Sequence, residues 1–279
     1  LANGSMKKKK NSFSATLFHT QNGAKASSFL LYENLANPLG DAGARLERNI
    51  LYYNQRSLSN LLFSHIYDNP ESQWTVTTKL SPSFSANLEP DMRITELSAE
   101  ENGRYAFNVG AGATVDRLYR RLFEGSGNLK VDAEKLIVLD EKGRKQTKLK
   151  FGLGSIAKGR DFGIVQYIYR PVPSTPLNLN GDPNQIFNDY LFDAQSGLGF
   201  TVAGEPIPSN EFFSTLYVQS AYVMNEMPVG ARFNFVYGLR VEQANMFYTG
   251  ENIGGTVFDN EAVLEELNLL PSLNVLFKA

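Results

Sequence analysis

Between Phe213 and Glu242, apolar and polar residues alternate through two runs parted by a tight segment at Asn225–Gly230. In the second run, Phe233, Phe235, Tyr237, Leu239 and Val241 fall on one face. Asn234, Val236, Gly238, Arg240 and Glu242 fall on the other. A period of two is the spacing of a β-strand, whose successive side chains point to opposite faces. The pattern therefore predicts strand, turn, strand, with a greasy aromatic row backed by a mostly polar one. A soluble sheet has this pattern when one face packs on a core. A membrane barrel has it when lipid lies outside and water inside.

The same reading extends along the chain. Asn11–Gln21 alternates with Phe13, Ala15 and Leu17 on one parity, and 24–47 is irregular, broken at Asn37–Gly40. Asn49–Ile66 reads as extended, Asp68–Glu71 as a turn, and Trp74–Ala86 as a strand with Trp74, Val76, Leu80 and Phe84 together. A polar loop is predicted from Glu89 to about Arg104, and a short alternating run at Tyr105–Val109. Leu118–Leu139 fits strand or helix, and Asp140–Lys145 is a turn. Residues 146–169 read as one long kinked strand, with a hairpin around Lys158–Gly159 as the alternative. Pro171–Asn210 is rich in Pro, Asn and Gly and reads as a long loop. Residues 243–268 read as loop with a short helix possible at Glu261–Leu267, and a last strand begins at Leu270 with Leu273, Val275 and Phe277 facing together.

In order, these connections alternate between long and short. The short ones fall near 68–70, 140–145 and 225–230, and the long ones near 22–47, 87–104, 171–211 and 244–268. A soluble meander has no reason to trim one end and elaborate the other. Outer-membrane barrels do, with short periplasmic turns and long extracellular loops. The expected fold is all-β, a partial antiparallel transmembrane β-barrel of about eight strands.

Composition narrows the chemistry. The 279 residues carry a formal net charge of −2, so charge gives no reason to expect a nucleic-acid partner. The chain has no cysteine, which removes disulfides, thiolate metal sites and cysteine nucleophiles. The mean hydropathy of −0.27 and the lack of an apolar run of about 18 residues exclude a helical membrane span. Lys7–Lys10 is followed by residues too polar for a signal peptide, and the run reads as a solvated basic turn. The two histidines, His19 and His65, are scattered, lie in strands near turns or loops, and read as ordinary lumen or interface residues. Gly181–Gln185 lacks calcium-loop spacing, and Gly110–Ala113 lacks the Lys-Ser/Thr of a phosphate loop. No catalytic, metal or cofactor constellation emerges, and no enzyme is expected.

Several runs resemble the barrel portion of TonB-dependent outer-membrane receptors of the Bacteroidetes kind. They are Ala221–Pro228 (AYVMNEMP) with Phe235–Glu242 (FVYGLRVE), Leu270–Asn274 (LPSLN), Leu149–Gly152 (LKFG) with Arg160–Phe162 downstream, and Glu89–Arg93 (EPDMR). The resemblance implies that 1–279 is part of a larger receptor barrel lacking its plug domain and closing strands. It implies a place in the bacterial outer membrane and energised uptake of a scarce nutrient, whether siderophore, glycan or peptide. It also implies lipid around the wall and coupling to the TonB complex through regions outside this chain. On that reading Asn234, Arg240 and Glu242 face the lumen, and Phe233, Phe235, Tyr237, Leu239 and Val241 face lipid. The competing readings are a passive porin and an adhesin-like β-sheet binding module.

Overall fold

A computed structural model describes residues 1–33, 45–99, 103–107, 115–138, 146–204, 207–230 and 232–277. The chain is all-β, with 82% in strands and one short helix. All the strands belong to one antiparallel sheet of 11. Nine strands follow one another across it: β1 (Ala2–Lys8), β2 (Asn11–Glu33), β3 (Arg45–Asn69), β4 (Trp74–Ala99), β6 (Val115–Val138), β7 (Gln146–Pro171), β9 (Glu211–Val229), β10 (Phe233–Glu251) and β11 (Val257–Phe277). Two short strands extend it, β5 (Tyr105–Phe107) beside β4 and β8 (Phe200–Gly204) beside β7. Each strand of the nine is antiparallel to the next, so β1 and β11, at the two edges, point the same way. Among the described residues no helix is long and apolar enough to cross a membrane.

Strand length is what the sequence understated. β2 runs on to Glu33 where an irregular segment is expected, and the Asn37–Gly40 breaker lies outside the described residues. β4 continues through the expected loop to Ala99, absorbing Pro90 and Asp91 in a register slip between Glu89 and Met92. β6 settles the strand-or-helix ambiguity as strand, and β7 is one strand with no hairpin at Lys158. The Asp140–Lys145 turn lies outside the described residues.

The largest correction concerns 243–268. No loop or helix forms there; β10 extends to Glu251, β11 begins at Val257, and only Asn252–Thr256 connect them. Glu261–Leu267 has helical spacing, but pairing with Ala244–Tyr248 overrides that local preference. The fourth connection is therefore short, and the long-short contrast is weaker than the sequence implies. At the basic run, Lys7 and Lys8 belong to β1, and Lys9 (φ 51°) and Lys10 make the turn to β2.

The predicted loop after β7 is ordered around α1 (Gln185–Asp189), and it packs back onto the sheet. Ile186 and Phe187 are buried with Leu97, Val115, Tyr169, Leu179 and Phe200. The Tyr169 and Phe187 rings meet edge to face at 4.9 Å. This is the main buried apolar cluster among the described residues, and it sits at one end of the strands.

Candidate functional site: a sheet with one apolar and one polar face

The cross-strand register sorts side chains into two faces. One horizontal row joins Trp74, Lys135, Leu149, Asn225 and Tyr237. Another, ten residues up each strand, joins Phe84, Gly125, Gly159, Thr215 and Phe247. Between them the same face carries Val76 and Leu80 of β4, Leu129 and Val131 of β6, Phe151 and Leu153 of β7, Ala221 and Val223 of β9, and Leu239 and Val241 of β10. Among the described residues nothing covers it: Leu153 is 63% exposed, Leu239 44% and Leu273 68%. Aromatic rings mark both limits. Trp74 and Tyr237 stand in the lower row, with Phe233 and Phe277 5.3 Å apart four residues below it, and Phe84 and Phe123 lie 6.2 Å apart at the upper one. Above the upper row this face becomes mixed, with Gln55, Ser57 and the exposed pair Arg121–Asp161 at 3.7 Å among apolar residues such as Leu88 and Phe213.

The other face is polar at nearly every level. In β4 it presents Thr75, Thr77, Lys79, Ser81, Ser83, Ser85, Asn87 and Glu89 in unbroken alternation. Its side chains pair across strands and along them. Tyr222 Oη donates to Asp132 Oδ1 at 2.7 Å, passing over Gly152, where any Cβ would collide with the ring. Lys130 reaches Asp132 at 3.2 Å and Lys150 reaches Glu134 at 3.0 Å. Glu124 accepts from both Lys158 (3.2 Å) and Arg160 (2.5 Å).

The residues singled out in β10 divide between these faces. Asn234 donates to Glu226 at 2.9 Å, and Arg240 Nε donates to Glu242 at 2.5 Å, all on the polar face. Phe233, Phe235, Tyr237, Leu239 and Val241 stand on the apolar face. His65 stacks on Phe13 at 4.5 Å, and its Nε2 lies 2.8 Å from Asn11. His19 lies in mid-strand, with Nδ1 2.9 Å from Ser59 Oγ. Both histidines belong to the apolar side of the sheet. Among the described residues no group of three or more His, Asp or Glu side chains is placed to hold a metal ion.

Sequence reasoning missed two features. The first is the anchoring of the α1 loop, which is held by charge as well as by packing. Asp91 accepts from Arg93 at 2.6 and 2.9 Å and from Arg117 at 2.9 and 3.0 Å. Arg93 also donates to Asn184 at 2.6 Å, and Thr95 donates to the Pro183 carbonyl at 2.8 Å. Burial alone raises the Asp91 pKa, but the hydrogen bonds from Arg117 and Arg93 outweigh it and hold the carboxyl below its ordinary value.

The second is a recess of about 320 Å³ on the polar face, above the level of the upper aromatic row. It opens where register slips between Leu51 and Gln55 and between Glu89 and Met92 interrupt the ladders of β3, β4 and β6. Asn22, Tyr52, Asn54, Arg56, Glu89 and Arg120 line it. These residues come from four strands that only the fold brings together. The chain matches no known protein family, and no curated protein or solved structure is significantly similar to it.

Proposed function

We propose that this chain forms part of the wall of a bacterial outer-membrane transport barrel that carries a polar solute. The observation that supports the reading best is the height of the apolar band. Ten residues at about 3.3 Å each, tilted by about 40°, span about 25 Å, the thickness of the outer-membrane apolar belt. The band is confined to one face, carries aromatic rings near both limits, and admits charged residues such as Arg121 and Asp161 above its upper row, as a lipid-facing belt does. A soluble sheet would cover such a surface with its own core, and an exposed patch this large otherwise marks an interaction site. In lipid, strand N–H and C=O groups are satisfied only when the sheet closes. Antiparallel closure needs an even number of strands, and nine successive strands leave the two edges parallel, so in this reading further strands complete the barrel.

The polar face then lines the lumen, with Asn234, Arg240 and Glu242 on its wall, and Phe233, Phe235, Tyr237, Leu239 and Val241 meet lipid. The strands run on past the band by about their own height again, carrying the α1 loop outside the cell. Energised uptake through the TonB complex is the mode that the family resemblance favours, and the role is transport without catalysis. Uptake by cells carrying the complete gene, with and without an uncoupler, tests it. Uptake that stops with the proton gradient supports the energised receptor. Uptake that continues supports a passive porin, and solute binding without passage supports an adhesin-like module.

A further inference from the structure

The recess on the polar face is built to hold a negatively charged solute. Its lining carries two guanidinium groups, Arg56 and Arg120, against one carboxylate, Glu89. Arg120 Nη1 donates to Glu89 Oε2 at 3.0 Å, which neutralises that pair, while the buried Arg120 Nε has no hydrogen-bond partner. Arg56 has no carboxylate partner among the described residues. Its Nε donates to Asn54 Oδ1 at 3.0 Å.

Asn54 is itself fixed. It is only 7% exposed, and its Nδ2 donates to Asn87 Oδ1 at 2.8 Å. A second, longer contact at 3.4 Å joins the same Nδ2 to Glu89 Oε1. A buried amide with both ends engaged orients the Arg56 guanidinium through Nε, and among the described residues its two terminal nitrogens have no partner. That is the fork that binds a carboxylate through two parallel hydrogen bonds.

Around the fork, Asn22 and Glu89 supply hydrogen-bonding groups, and the exposed ring of Tyr52 supplies a flat apolar surface. The volume is at the small end for ligand sites. The register slips on both sides of β4 are the local device that opens a sheet beside a binding site.

We infer that this recess binds a small hydroxylated carboxylate of sugar-acid size, with Arg56 as the anion-recognising residue. Its place on a transport path rests on the barrel reading proposed above; the binding itself does not. A phosphate group fits the same charge but matches the flat fork less well.

The test is a calorimetric titration of the complete protein in detergent with D-glucuronate, its methyl ester, D-glucose and inorganic phosphate. The acid is expected to bind at least tenfold more tightly than the ester or glucose, and binding should weaken as salt rises. Arg56→Gln should lower glucuronate affinity at least tenfold with the circular dichroism spectrum unchanged, and Arg56→Lys should fall between. Equal binding of acid and ester by the unaltered chain overturns the inference, as does unchanged affinity in Arg56→Gln. Phosphate binding more tightly than glucuronate overturns the assigned class. Whether the chain needs detergent to remain dispersed is read in the same preparation, and that result bears on the barrel reading alone.

Discussion

Gly152 is the position where one methyl group should matter most. It lies on the polar face in the row Asp132, Gly152, Tyr222, Arg240. The Tyr222 ring crosses directly over its backbone. A Cβ at residue 152 would lie 2.5 Å from Tyr222 Cζ and 2.6 Å from Cδ1, and nearer still to Cε1. The ring cannot stay, and moving it breaks the 2.7 Å hydrogen bond to Asp132. A hydrogen bond to a charged group is worth about 1.5–3 kcal/mol. Replacing glycine in a strand returns about 0.5–1 kcal/mol. Gly152→Ala should therefore cost about 1–2 kcal/mol. In a Tyr222→Ala background there is no ring to displace, so the same change should be neutral or stabilising. Urea unfolding of the complete protein in detergent, followed by circular dichroism, measures both effects. Equal effects of Gly152→Ala in the two backgrounds would refute the claim that the glycine exists to seat the tyrosine.

Three further outcomes are expected. Leu239→Arg should cost about 2–4 kcal/mol of folding stability in lipid if the site lies near the bilayer midplane, whereas Glu242→Gln should cost far less; unfolding from vesicles compares them. The Asp91 carboxyl lies above the apolar band with a lowered pKa. The stability it gives the α1 loop is full above the ordinary value of 3.8 and is lost as pH falls through the lower folded value. Hydrogen exchange at Ile186 should accelerate over that window, and Asp91→Asn should show the faster exchange at neutral pH as well. On intact cells carrying the complete gene, a membrane-impermeant thiol reagent should modify Asn178→Cys and spare Val229→Cys; the reverse pattern would invert the topology.

How much of this was legible in the sequence depended on whether a strand had two different faces. Across Phe233–Glu242 and Trp74–Ala86, one face is apolar and the other polar, so a period of two stands out and the strands are readable. At 22–33, 87–99 and 243–251, apolar and polar residues fall on both faces, as Phe29, Leu30, Leu31 and Tyr32 do in succession. The alternation carries no contrast there, and strand looks like loop. Glu261–Leu267 failed for a different reason: its local spacing suits a helix, and pairing with β10 makes it a strand. The recess was hidden because Asn22, Arg56, Glu89 and Arg120 are brought together by register across four strands. One signal was available in the order of residues alone, the unbroken polar row from Thr75 to Glu89, which marks a continuous hydrophilic face. The α1 loop anchor was not readable, since Asp91, Arg117 and Asn184 are far apart in the chain.

The central claim is that the apolar band meets lipid while the opposite face meets water, and spin-label accessibility along β10 tests it most directly. Single cysteines replacing each residue from Tyr237 to Glu242 are labelled in the complete protein reconstituted into vesicles. Collisions with oxygen, which concentrates in lipid, and with a water-soluble nickel chelate are then measured at each site. The account predicts that Tyr237, Leu239 and Val241 favour oxygen and that Gly238, Arg240 and Glu242 favour nickel, alternating residue by residue. Uniform access of the nickel chelate to all six sites, or an alternation of opposite phase, would contradict it.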